Sequence, residues 1–221
     1  MRRPEAVAFD LDGTLIDSRL DIAAACNHVL AEAGRAALDP EVIATFVGDG
    51  VRALVSRAFA LPLDSPDLDP LERAFVARYA AHAVDRTTWM PGALQAADAL
   101  RRMPLAVVTN KARSVTLAVL DALHAGDRFA FVYAGGDGPL KPRPEPVLAV
   151  ARALGVPVEA LWVVGDGDQD VLSARAAGAV AIGVLGGFTP EARLRASLPD
   201  AVLPSLAELP ALVRTTEPGP P

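Results

Sequence analysis

The stretch Val7-Ala8-Phe9-Asp10-Leu11-Asp12-Gly13-Thr14 decides how the rest of this 221-residue chain is read. Three apolar residues run into two carboxylates one residue apart, and then into a glycine turn. A strand carried through residue 12 sends Asp10 and Asp12 to the same face, because alternate side chains of a strand share a side. Neighbouring carboxylates repel unless a cation lies between them or one of them holds a proton. Two uses follow: a metal site, or a nucleophile paired with an acid.

Helical periodicity comes next. Ser18 and Asp21 resemble a capping pair for a helix to about Ala33, with Ile22, Cys26, Val29, Leu30 and Ala33 on its apolar face and Gly34 as its stop. Asp39-Pro40-Glu41 opens a second helix ending at Gly48, residues 51–60 form a third, and Asp69-Pro70 opens a fourth through about Val84. No strand is expected between Ser18 and Trp89. Beyond Met90-Pro91-Gly92 the pattern alternates. Strands are expected at residues 105–109, 131–133, 161–164, 180–184 and 201–203, with helices at 93–102, 114–124, 144–154 and 168–177 and a last one from Ser205. Such alternation means a parallel sheet covered on both faces. The expectation is an α/β protein with a doubly wound parallel-sheet core (residues 1–17 and 90–214). An all-helical cap (18–89) is inserted after the first strand, and residues 215–221 form a loose tail.

The chain is 52% hydrophobic and 22% charged, which suffices for a sizeable core. A net charge of −6 argues against non-specific nucleic-acid binding, so an anionic ligand needs a local positive site. The lone Cys26 excludes an internal disulfide and fits a reducing compartment. No apolar run is long enough to cross a bilayer, and the short apolar stretch after Met1-Arg2-Arg3 is no signal peptide. These features point to a cytoplasmic protein, monomeric or homodimeric, with no membrane or nucleic-acid partner. Of 21 basic residues, 19 are arginines; Lys111 and Lys141 are the two lysines. Both are candidates for work that needs a compact ammonium, although chance survival explains Lys111 more readily than Lys141.

Ligands of doubly wound sheets bind beyond the carboxyl ends of the strands. Four segments place polar groups there: Asp10 and Asp12, Thr109-Asn110, Leu140-Lys141-Pro142-Arg143-Pro144, and Gly165-Asp166-Gly167-Asp168-Gln169-Asp170. Asp166 falls at a strand tip, and Asp170 one helical turn on faces the same point. Asp168 reads as an N-cap or first-turn residue stabilised by the helix dipole. Three acids at one helix start call for a cation. Together the segments suit a magnesium-assisted reaction of a small-molecule phosphate ester.

These ordered segments resemble the four motifs of the haloacid dehalogenase superfamily, and the resemblance covers nearly the whole chain, cap included. Phe46-Val47-Gly48-Asp49-Gly50, Thr109-Asn110-Lys111 and Gly135-Gly136-Asp137 further resemble bacterial phosphoglycolate phosphatases. The resemblance implies Mg²⁺-dependent hydrolysis of a phosphomonoester, 2-phosphoglycolate, through an aspartyl-phosphate. Asp10 is then the nucleophile and Asp12 the acid and base. Mg²⁺ is held by Asp10, the Asp12 backbone carbonyl, Asp166 and Asp170. Thr109, Asn110 and Lys141 hold phosphoryl oxygens.

For the rest of the substrate, Gly48, Gly50 and Arg52 at a helix junction are the candidates, with Lys111 and Arg143 beside the site. Ser173 reads as a helix-surface residue, and His28, His82 and His124 receive no role. Asp12 argues against dehalogenation. The lack of a lysine between Ser18 and Trp89 argues against Schiff-base chemistry and, with Ile22 where mutases carry histidine, against a phosphosugar mutase. Phosphatases for sugar phosphates, acetylmuramic acid phosphate or nucleotides share the motifs and stand as alternatives. A non-enzymatic phospho-accepting module is the rival from another class, disfavoured by the cap and by the order of the acids.

Overall fold

The computed structural model describes residues 1–217, beginning with strand β1 (Ala6–Phe9). A turn leads to β2 (Ile16–Asp17), then to helices α1 (Arg19–Glu32), α2 (Pro40–Ala44), α3 (Val51–Phe59) and α4 (Leu68–Ala81), and back through β3 (Thr88–Trp89). The remainder alternates: α5 (Ala93–Leu100), β4 (Leu105–Ala112), α6 (Arg113–Ala122), β5 (Phe131–Gly135), α7 (Glu145–Leu154), β6 (Leu161–Gly165), α8 (Asp168–Ala177), β7 (Val180–Val184), α9 (Glu191–Ala196), β8 (Ala201–Leu203) and α10 (Leu209–Thr215). Six strands pair in parallel in the order β5-β4-β1-β6-β7-β8, so β1 lies inside the sheet with β4 and β6 as its neighbours.

Every residue of β1 is buried, which is why its sequence is an unbroken apolar run rather than an alternation. The alternation shows instead in which core each side chain enters. Val7 and Phe9 join Leu105, Val107, Trp162 and Val164 on one face, where α5, α6 and α10 pack together with cap residues. Ala6 and Ala8 join Ala106, Val108, Leu161 and Val163 on the other, under α7, α8 and α9. This is a doubly wound sheet.

The cap, α1 to α4, is inserted between β2 and β3, which pair antiparallel as a separate two-stranded ribbon. The sequence offered no signal for this ribbon, since two residues per strand carry no periodicity. The expected capping pair at the start of α1 does not form. The Ser18 hydroxyl donates to Asp12 instead, and buried Asp21 accepts from the Arg86 and Thr87 backbone N–H groups and from the Thr87 hydroxyl. Asp21 thereby ties the outgoing chain to the returning one. Helix α9 was also unanticipated. Thr215, expected in the tail, closes α10, the Glu217 carbonyl accepts from Arg3 N, and residues 218–221 of that tail lie outside the described residues. Among the described residues no helix is long and apolar enough to cross a membrane.

Candidate active site

The strand order reverses at β1, with β4 and β5 to one side and β6 to β8 on the other. A crevice opens beyond the carboxyl ends of the strands at such a point. β1 stops at Phe9, so Asp10 and Asp12 are not carried on one strand face as the sequence suggested; a turn separates them and gives them different neighbours. Gly13 allows the next turn, which carries the chain from Asp12 to β2. Its φ is +82°, and a Cβ there would lie 2.6 Å from Asp166 Oδ2.

Asp10 faces Lys141, delivered by the loop before α7. Lys141 Nζ lies 2.9 Å from Asp10 Oδ1 and 2.5 Å from Asp170 Oδ1, and it donates to the Val108 carbonyl at 2.6 Å. Asp170, in the first turn of α8, uses its other oxygen to accept from Gly167 N at 3.0 Å. Asp166, at the tip of β6, accepts from the Thr14 hydroxyl at 2.8 Å and from Phe188 N at 2.8 Å. All four charged groups are buried.

Three buried carboxylates therefore cluster around one ammonium, which two of them, Asp10 and Asp170, contact directly. Burial, reinforced by the Asp10 charge, pushes the Asp166 carboxyl up to about 6. Burial and Asp10 likewise raise Asp170, against the opposing pull of Lys141. Burial alone would lower Lys141, but Asp10 and Asp170 outweigh it and its pKa is raised. Oxygen atoms of Asp10, Asp166 and Asp170 lie within 4.8 Å of one another, and Asp10 Oδ1 accepts no well-formed hydrogen bond. A hard cation with oxygen preference fits this donor set, since it would neutralise charge that the protein leaves uncompensated.

Asp12 belongs to a second network, under the cap. Its Oδ1 accepts from the Ser18 hydroxyl at 2.5 Å and from Lys111 Nζ at 2.8 Å, with Oδ2 3.1 Å from the same ammonium. Lys111 Nζ also donates to the Tyr79 hydroxyl at 2.6 Å and sits 4.1 Å from the centre of the Tyr79 ring. Burial lowers the Lys111 pKa, with Asp12 opposing. Asp10, Asp12, Thr109, Asn110 and Lys111 line one cavity with the cap residues Gly48, Gly50, Leu54, Phe75 and Tyr79. Thr109 accepts from Lys111 N, and no described acceptor takes its hydroxyl hydrogen.

Some expected contributors stand elsewhere. Asn110 lines the cavity, but its side-chain hydrogens go to the Gly48 and Lys141 carbonyls and its oxygen accepts from Lys141 N. The amide thus joins the cap, β4 and the Lys141 loop, and has no hydrogen left for a phosphoryl oxygen. Arg52 is turned away from the cavity: its guanidinium bonds Asp69, Glu72 and the Leu63 and Ser65 carbonyls, because α4 presents two acids to that side of α3. Arg143 is exposed and lies nearest Glu145. Ser173 is not on the surface; it is fully buried and its hydroxyl holds the Arg143 carbonyl at 2.6 Å. Tyr79 and Thr14 have no site role in the sequence reading, and Ser18 reads there as a helix cap. Two sequence signals point to this region through Lys111: the scarcity of lysine and the Thr109-Asn110-Lys111 resemblance.

Comparison with known proteins follows the same lines. Residues 7–184 match the family model described as haloacid dehalogenase-like hydrolase. A phosphoglycolate phosphatase of Chromobacterium violaceum is 38% identical over 216 residues, covering 95% of this chain and 96% of that protein. Another from Agrobacterium fabrum is 35% identical, covering 92% and 90%. The crystal structure of a predicted phosphoglycolate phosphatase from Haemophilus somnus superposes with a TM-score of 0.86, covering 96% of this chain and 99% of the other; at 24% identity it speaks for the fold alone.

Proposed function

The chain belongs to the haloacid dehalogenase-like hydrolases and is a phosphatase, and from that premise we propose that it hydrolyses 2-phosphoglycolate to glycolate and phosphate. The observation that carries the chemistry is the buried Asp10–Lys141–Asp170 cluster, opening on the cavity that also holds Asp12 and Thr109. In this reading residues 1–17 and 90–214 are the catalytic core and residues 18–89 the cap, with the β2–β3 ribbon at its root. Asp10, the Asp12 backbone carbonyl, Asp166 and Asp170 would hold Mg²⁺, which would supply positive charge to the phosphoryl oxygens.

An Asp10 carboxylate oxygen attacks phosphorus, forming the aspartyl-phosphate as the bond to the ester oxygen breaks. Asp12 gives a proton to that departing oxygen, then takes one from the water that attacks phosphorus and releases phosphate. Regenerated Asp10 closes the cycle. Lys141 sits against the Asp10 oxygen and meets the charge that develops on the phosphoryl group, and the Thr109 hydroxyl donates to a phosphoryl oxygen. The Asn110 side chain positions Lys141 by bonding its backbone N–H and carbonyl. The cap shuts over the reacting groups and keeps bulk water from the acyl phosphate. The lone buried Cys26 and the absence of a described membrane-spanning helix suit work in the cytoplasm, as a monomer or homodimer.

The test is phosphate release from a panel of small phosphomonoesters, with and without Mg²⁺, using Asp10→Asn as control. The proposal expects Mg²⁺-dependent release, highest kcat/KM on 2-phosphoglycolate, and none from the variant. Equal release by the variant would sink the mechanism, while preference for an ester lacking a carboxylate would sink the substrate.

A further inference from the structure

2-Phosphoglycolate carries an anion at each end, and the groups described so far meet only the phosphoryl end. Its carboxylate needs a partner of its own. Among the described residues lining the cavity under the cap, Lys111 carries the single cationic side chain. The cap wall opposite is apolar, with Ile22, Leu54 and Phe75, and the Tyr79 hydroxyl is its one polar side-chain tip. Arg52, the cation the sequence suggested, is committed to Asp69 and Glu72 outside this cavity.

Lys111 is not placed like a surface lysine. Its side chain is 4% exposed, reaches from the end of β4 beneath the cap, and lies against Asp12 and the Tyr79 hydroxyl and ring. Burying an ammonium among apolar side chains is costly, and one shared carboxylate returns only part of that cost. We infer that Lys111 Nζ, with the Tyr79 hydroxyl beside it, is the subsite for the substrate carboxylate and sets specificity; this rests on the proposed hydrolysis of 2-phosphoglycolate.

Bond lengths in the substrate support the placement. Asp12 has to reach the ester oxygen, and the carboxylate carbon of 2-phosphoglycolate lies two bonds beyond that oxygen. Lys111 Nζ is 2.8 Å from Asp12 Oδ1, so one short ester can touch both residues at once. An ester with no anion two bonds from its ester oxygen, such as a sugar phosphate or a nucleotide, gains nothing from a cation at this point. The arriving carboxylate becomes a second acceptor for the ammonium and draws it from its two-oxygen contact with Asp12.

Steady-state kinetics on 2-phosphoglycolate and on 2-hydroxyethyl phosphate, which replaces the carboxylate with a hydroxymethyl group, separate the possibilities. Lys111→Met is expected to lower kcat/KM for the carboxylated ester about ten- to hundredfold more than for the uncharged one, chiefly through KM, as loss of one charge-assisted hydrogen bond implies. Tyr79→Phe shifts the same ratio in the same direction by about threefold, and it carries the comparison should the methionine variant fail to fold. Equal losses on both esters, seated in kcat, would overturn the inference and leave Lys111 as a support for Asp12. A wild-type enzyme indifferent to the carboxylate would overturn it too. Preference of the wild type for some third ester without a carboxylate would remove the proposed substrate, while the two-ester ratio in Lys111→Met would still decide the role of Lys111.

Discussion

Replacing Asp166 with asparagine should stabilise the metal-free protein near neutral pH and do so less in mild acid. Buried Asp166 has its carboxyl raised to about 6 by burial and by Asp10. An unfolded aspartate titrates near ~3.9, so ionising Asp166 in the fold costs about two pKa units, or roughly 3 kcal/mol. A raised carboxyl means that the folded state binds more protons. The penalty is therefore full above about 6, shrinks as pH falls through that value, and vanishes below the unfolded pKa. At pH 5 the folded carboxyl is mostly protonated and the unfolded one mostly ionised, leaving about half the penalty. Asparagine fills the same volume, its Oδ1 can keep one of the carboxylate's acceptor roles, to the Thr14 hydroxyl or to Phe188 N, and it has no charge to bury.

The assay is thermal unfolding in chelator at pH 7.5 and pH 5.0. The melting temperature of Asp166→Asn relative to wild type should drop by about 3–6 °C between the two, from ~2–4 °C per kcal/mol at this chain length. Any pH-independent cost of the substitution cancels in that comparison. Millimolar Mg²⁺ at pH 7.5 should raise the wild type and move the variant far less, because binding to the native state stabilises by mass action. A difference between variant and wild type that is the same at both pH values would refute the reasoning.

Asp21→Ala should cost about 2–4 kcal/mol, measured by denaturant unfolding, because it leaves the buried Thr87 hydroxyl and the Arg86 and Thr87 N–H groups without an acceptor. Arg52→Ala should leave KM for 2-phosphoglycolate within about twofold of wild type, since the guanidinium is bonded to α4 and its loop rather than turned to the cavity; a large rise in KM would return Arg52 to the site.

The cluster at the strand ends was legible in the sequence for a physical reason. Asp10, Thr109 and Asp166 each close a buried apolar run, and a parallel sheet gathers the carboxyl ends of its strands. Period and spacing suffice there, because the strand itself aims the side chain. What lay off the strands was not legible. Arg52 sits at a junction suited to anion binding, but its direction was decided by Asp69 and Glu72, seventeen and twenty residues away. Ser18 looked like a helix cap from its neighbours, while its hydroxyl was claimed by Asp12 across a turn. Tyr79 reads as one more apolar position of α4, and only the closure of the cap brings it to Lys111. The two-residue ribbon and α9 are too short to carry a period.

The division between strand-borne and cap-borne groups has a consequence for how the site works. Lys141, Asp10, Asp166 and Asp170 are held by core elements alone, with Lys141 Nζ fixed by the Val108 carbonyl and its backbone by two bonds to Asn110. Lifting the cap must break the Asn110–Gly48 bond and the Lys111–Tyr79 bond, yet it leaves each of those core contacts in place. One neutral and one charge-assisted bond are worth about 2–4 kcal/mol together, so polar contacts set only a modest barrier to cap opening. The chemistry is then preassembled at every cap position, and what closure completes is the wall around Lys111 and Asp12. In an enzyme built this way, substitutions in the cap and at Lys111 beneath it alter which ester is accepted, whereas substitutions at Asp10, Lys141, Asp166 or Asp170 alter whether any ester reacts.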